Sequence, residues 1–222
     1  MLKVFEAVIF DMDGVLIDSE PLHIQLEEEI FKEIGANVSF EEHISFVGTT
    51  SHYMWEYVKN KCNVPLTVEE LVEMDRKRYI DYISKHDDAV KPIEGVGELV
   101  KELYSKKVKL AVASSSPIDV IELVVKRLKL KDYFNELVSG DFVKRSKPYP
   151  DIFLYAAEKL NVVPEKCLVV EDSNKGVLAA KSAGMKVVGF INPNSGNQDL
   201  RMSDMIIQSF YNINYEKLMM IS

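Results

Sequence analysis

Short apolar runs rich in β-branched residues punctuate the chain: AVIF ending at Asp11, KLAVASSS around Ser114, CLVVEDS around Asp172 and KVVGFI around Val188. Each is followed by small or polar residues and then by a helical pattern, an alternation that predicts an α/β fold with a mostly parallel sheet. AVIF and CLVV are continuous rather than alternating, as expected of central parallel strands buried on both faces. DMIIQSF, further along, is a candidate last strand.

Helical periodicity fills the intervals. PIDVIELVVKRL starts at Pro117 with apolar residues at 118, 121, 124, 125 and 128. Pro148 precedes YPDIFLYAAEKL, and Asn174 is the expected cap of a helix ending near Gly184. Between Ser19 and His86 there is no strong strand run, and Thr67 with Glu70 reads as a capping box ahead of LVEMDRKRYIDYI. The pattern predicts a Rossmann-like parallel-sheet core, residues 1–17 and 92–222, interrupted after its first strand by an α-helical cap, residues 18–91. Tyr53, Trp55, Tyr57, Tyr79 and Tyr82 are expected to pack inside that insert.

The 222 residues, 47% hydrophobic and 28% charged, suffice for a substantial core. With 35 acidic against 27 basic residues, a net charge of −8 and no run of Lys or Arg to track a phosphate backbone, a nucleic-acid partner is not expected. The apolar run before Asp11 is too short to span a bilayer and no small-residue cleavage site follows it, so neither membrane insertion nor secretion is expected. Cys62 and Cys167 read as packed thiols in a reducing cytoplasm rather than as a disulfide or zinc site. A monomer or weak homo-oligomer is the expected state.

Ligands of open parallel sheets sit outside the carboxyl ends of the strands. That rule gathers Asp11 and Asp13 after the first strand, Ser114 after the next, Lys147 from a loop, and Glu171 with Asp172 after CLVV. Crowded carboxylates resist ionisation unless a cation neutralises them, and oxygen ligands suit Mg²⁺. A lysine and a serine hydroxyl beside that cation suit a phosphoryl group.

DMDG, SSS after LAVA, SKP at Ser146 to Pro148 and EDS at Glu171 to Ser173 occur in the order that marks the haloacid dehalogenase superfamily, which the chain resembles over nearly its whole length. The helical insert resembles that of the α-helical-cap subclass, and VIFDMDGVLIDSEPLH is similar to the β-phosphoglucomutase-like and sugar-phosphatase branch. The resemblance implies Asp11 as the nucleophile that becomes an aspartyl-phosphate and binds Mg²⁺. It implies Asp13 as the acid/base, its main-chain carbonyl also on the metal. Ser114, with Ser115 beside it, would hold the phosphoryl group and Lys147 would offset its charge. Asp172 matches a metal ligand, and Glu171 a ligand or a partner of one. His23 matches a position near the cap hinge. Gly48, Thr49, Thr50 and Ser51 match the cap loop that closes over substrate.

Plainer readings exist for each residue. Asp11 and Asp13 could end a strand in a polar turn, although VLID lacks the oxygen ligands a calcium loop needs. Ser114, Ser115 and Asp172 could cap helices, Lys147 and Glu171 could be solvated, His23 could be structural, and Gly48 to Ser51 an interhelix turn. In β-phosphoglucomutases the cap loop carries an arginine for a second phosphate, whereas GTTSHYMW has Ser51 and His52 there. The expected activity is therefore Mg²⁺-dependent hydrolysis of a small phosphorylated metabolite, a sugar phosphate first. The alternatives are β-phosphoglucomutase activity and a non-enzymatic, receiver-like phosphoacceptor. Hinge closure is expected where Ile17 to Ser19 and Asp88 to Pro92 join cap and core.

Overall fold

The first apolar run lies at the centre of the sheet. The computed structural model describes residues 5–46, 49–86 and 89–221. Its strands are β1 (Ala7–Phe10), β2 (Lys109–Ser114), β3 (Glu136–Ser139), β4 (Cys167–Glu171), β5 (Lys186–Phe190) and β6 (Met205–Ile207). They form one sheet in the order β3-β2-β1-β4-β5-β6, every pairing parallel. From β1 the chain builds outward through β2 and β3, then returns to add β4 on the opposite edge of β1. The direction of winding thus reverses between β1 and β4, the place where open α/β sheets bind ligands.

Alternate residues of each strand feed opposite layers. Val8, Phe10, Val112 and Val170 pack with residues of α5 (Val96–Ser105), α6 (Ile118–Arg127) and α9 (Tyr215–Leu218). Ala7, Ile9, Ala111 and Val169 face α7 (Asp151–Leu160) and α8 (Asn174–Ser182). β1 and β4 are buried along their whole length, as their continuous apolar runs require.

The insert comprises α1 (Glu20–Ile34), α2 (Phe40–Ile44), α3 (Ser51–Cys62) and α4 (Val68–Lys85). Phe31, Trp55, Val58 and Leu71 give it a core of its own, while Leu26, Tyr79 and Ile83 join the core of the α/β layer. The chain crosses between the two on adjacent strands: Asp18 N donates to Lys91 O (2.9 Å) and Ile93 N to Leu16 O (3.0 Å). Part of the second expected crossing, Asp88, lies outside the described residues.

Several local expectations are revised. Ser173, not Asn174, caps α8, its hydroxyl accepting from Gly176 N at 3.1 Å; the one-residue offset lets Asn174 begin the helix. β3 carries too few apolar residues to announce itself. Trp55 packs in the core of the insert as expected, but Tyr79 and the partly buried Tyr82 join the core of the α/β layer, and Tyr53 and Tyr57 lie on the exposed side of α3. The Thr67–Glu70 capping box is formed, with hydrogen bonds of 3.1 and 2.8 Å. Cys62 and Cys167 are free thiols, and no helix among the described residues is long and apolar enough to cross a membrane.

Candidate active site

Asp11 follows β1 directly, its N–H extending the ladder to Val170 O at 3.0 Å. Beyond it the chain turns through Gly14 at φ +79°, a conformation that favours glycine. The space is also closed to any side chain, since a Cβ there would overlap the Asp172 carboxylate. This turn swings Asp13 back towards the end of β2.

Lys147, from the loop between β3 and α7, reaches over the end of the sheet. Its Nζ lies 2.7 Å from Asp11 Oδ1 and 2.6 Å from Glu171 Oε1. The other Glu171 oxygen accepts from the Ser173 N–H (2.7 Å) and hydroxyl (2.9 Å), so this fully buried carboxylate is satisfied at both ends. Asp172 accepts from the Ser195 hydroxyl. Asp13 is held differently: Ser19 donates to Oδ1 at 2.6 Å, while Ser116 and Ser114 donate to Oδ2 at 2.8 and 3.2 Å. His23 Nε2 stands 3.7 Å from Asp13 Oδ1, its ring stacked on Tyr79 with centroids 4.3 Å apart.

These environments drive the carboxylates apart electrostatically. Burial pushes Asp11 up to about 7 against the lowering pull of Lys147, with Glu171 and Asp13 adding to the rise. Burial likewise raises Asp172 well above the usual carboxylate range, reinforced by Glu171 and Asp11. For Asp13 burial also acts upward, but His23 and the hydroxyls of Ser19 and Ser116 outweigh it and hold Asp13 at about 2. At 3.7 Å, His23 acts through its charge rather than a hydrogen bond. Burial would lower His23, yet Asp13, Glu27 and Glu20 raise it to about 10.

Asp11, Glu171 and Asp172 each present an oxygen within 4.8 Å of the others, and all are buried. Three hard oxygen donors crowded together in a buried site fit a divalent cation such as Mg²⁺. The Asp13 side chain turns towards the serines instead.

A family model described as haloacid dehalogenase-like hydrolase matches residues 8–190. The chain belongs to that family. A phosphorylated carbohydrates phosphatase of Thermotoga maritima is 38% identical over 184 residues, covering 82% of each chain. Hexitol phosphatase B of Escherichia coli is 33% identical, covering 86% of each chain. A β-phosphoglucomutase structure from Clostridium difficile shares the fold with a TM-score of 0.83 at 24% identity, covering 96% of this chain and 95% of that one. Membership of a hydrolase family, with a helical insert after β1, sets aside the receiver-like alternative.

In this haloacid dehalogenase-like hydrolase a cavity of about 640 Å³ lies over the carboxyl ends of the strands, between sheet and insert. Asp11, Asp13, Ser114, Ser115, Lys147 and Asp172 line its floor. Glu171 is not among the lining residues, being sealed beneath Lys147. From the insert, His23, Thr49, Thr50 and Ser51 line it; Thr50 also caps α3 through Tyr53 N (3.3 Å). Gly48 lies outside the described residues.

Ser19, Ser116, Ser195 and Asp75 escaped the sequence reading. Ser116 was detectable as the third serine of SSS; Ser195 was not, because nothing near it in sequence points to Asp172.

Proposed function

We propose that the chain is a Mg²⁺-dependent phosphatase that hydrolyses a small phosphorylated carbohydrate through an aspartyl-phosphate on Asp11, with residues 1–17 and 92–222 as catalytic core and 18–91 as cap. The coarser part, a phosphoric monoester hydrolase of the haloacid dehalogenase-like family, rests on the family match and on similarity to named phosphatases. The observation that carries the mechanism is the contrast between two neighbouring carboxylates: Asp11 bound to Lys147, and Asp13 held by hydroxyls and His23.

Asp11 Oδ2, the oxygen not engaged by Lys147, is the attacking atom. Lys147 reduces the repulsion between this carboxylate and a phosphate dianion. Ser114 and Ser115 lie where hydroxyls can hold the transferring group. The Asp11 and Asp172 carboxylates and the Asp13 main-chain carbonyl would hold Mg²⁺, which supplies further neutralisation between nucleophile and phosphate. Glu171, with both oxygens occupied, positions Lys147.

Asp13 is ionised in this arrangement, the state needed to take a proton from the water that attacks the phosphoenzyme. An arriving phosphate places negative charge beside Asp13 and raises its proton affinity, favouring the protonated form that donates to the leaving oxygen.

Hydrolysis is favoured over the mutase reaction by the cavity wall. Arg76 is the arginine among the described lining residues, and Asp119 engages it at 2.7 Å. Phosphate release across a panel of sugar and polyol phosphates, with Mg²⁺ and with EDTA, tests the proposal. Metal-dependent release from at least one member is expected; none from any member would refute it.

A further inference from the structure

The cavity continues away from Asp11 into the cap, where its wall draws on α1, α2, α3 and α4 and carries Glu27, His43 and Asp75. Asp75 is only 4% exposed although it lies on a helix whose buried side is otherwise Leu71, Tyr79 and Ile83. Trp55 Nε1 donates to Asp75 Oδ2 at 3.0 Å, and Trp55 is itself fully buried, edge-on against Phe31 at 5.4 Å. The carboxylate is therefore held in a fixed orientation by the cap core.

As an acceptor for Trp55 alone, a neutral amide would serve without the cost of a buried charge. That cost is real here: burial, then the nearby Glu27 charge, raises Asp75 to about 6 against the lowering effects of His23, Trp55 and Ser51. A charge kept in a cavity wall at such a cost points to a task in the cavity.

The rest of the wall indicates the task. Arg76, next in sequence, is turned to Asp119 (2.7 Å) and Glu73 (3.4 Å). Glu27 takes His43 Nε2 at 2.5 Å. His23, the cation nearby on α1, is directed to Asp13 at 3.7 Å, so the cap end itself offers hydrogen-bond acceptors and negative charge.

We propose that Asp75 is the specificity-determining residue of the cap end, accepting hydrogen bonds from sugar or polyol hydroxyls remote from the reacting phosphate and repelling a second phosphate. The assignment rests on the phosphatase reading and narrows its substrates to monophosphates with a hydroxylated distal end. A hydrogen bond to a charged acceptor changes affinity by about ten- to a hundredfold.

Calorimetric titration of the Asp11→Asn protein in Mg²⁺ with glucose 6-phosphate and glucose 1,6-bisphosphate tests this without turnover. The monophosphate is expected to bind at least about tenfold more tightly. Adding Asp75→Asn should weaken the monophosphate about tenfold and bring the two ligands within about threefold of each other. Trp55→Phe, which frees Asp75 but keeps its charge, should weaken the monophosphate while leaving it preferred. Equal binding of both ligands before Asp75 is changed, or a preference unmoved by Asp75→Asn or, should that variant not fold, by Asp75→Ser, overturns the proposal. Phosphate release by the unmodified protein is scored separately. Release with no effect of Asp75 refutes only this inference, and discrimination without release refutes only the assigned reaction.

Discussion

Lys147 Nζ lies between Asp11 Oδ1 and Glu171 Oε1, 2.7 and 2.6 Å away, joining the ends of β1 and β4 across the reversal in sheet winding. Removing this ammonium leaves two carboxylates buried without their shared cation. Lys147→Met should lower stability by roughly 3–5 kcal/mol in metal-free buffer. It should also reduce turnover on the order of 10²–10³-fold. Denaturant unfolding and steady-state phosphate release check the two effects, and Mg²⁺ should restore part of the stability by supplying charge to the same carboxylates.

Ser116 donates to Asp13 Oδ2 at 2.8 Å, stabilising the ionised form. Its loss raises the Asp13 pKa, and because kcat/KM covers formation of the phosphoenzyme, in which Asp13 donates the proton, the basic limb of that profile should move to higher pH in Ser116→Ala, by about one unit. A limb that stays in place, with Asp13 activity intact, would separate Ser116 from the proton shuttle.

The reach of the sequence can be judged at these same residues. Asp11, Asp13, Lys147 and Asp172 were legible because strand-end chemistry follows from strands, and β1, β2 and β4 are written as unbroken apolar runs. Ser19 and Ser195 meet their carboxylates through folds of chain that local pattern does not encode, one at the entry to the cap and one after β5. Asp75 sits in a polar helix with other acidic residues, and only the packing of Trp55 distinguishes it from them. Strand β3 was hidden because half of ELVS is only partly buried, so its selection for apolar residues is weaker.

Gly14 tests the metal end of the site. A Cβ at this position would overlap Asp172 Oδ2 and crowd Ser195 Oγ, at a φ of +79° that already disfavours a side chain. Gly14→Ala should weaken Mg²⁺ binding about ten- to a hundredfold by displacing Asp172. Titration of activity against Mg²⁺ concentration measures this; unchanged half-saturation would remove Asp172 from the metal site.

Asp75 predicts a pH dependence of stability. Its folded pKa of about 6 lies above the ordinary aspartate value of 3.8, so its stabilising contribution is present below about 4 and is lost as pH rises through 6. Asp75→Asn lacks that titration. The variant should therefore gain on the parent protein between pH 4 and pH 8, by up to about 3 kcal/mol. Urea unfolding at the two pH values checks the sign: a stability difference independent of pH would contradict the buried-charge account.

Phosphate release by the unmodified protein and by Asp11→Asn, on the best sugar phosphate and in saturating Mg²⁺, tests the nucleophilic role of Asp11 most directly. The account predicts steady release by the unmodified protein and a loss of about 10⁴-fold or more in the variant, because an amide cannot form the acyl phosphate. Release by Asp11→Asn within tenfold of the unmodified rate would contradict it.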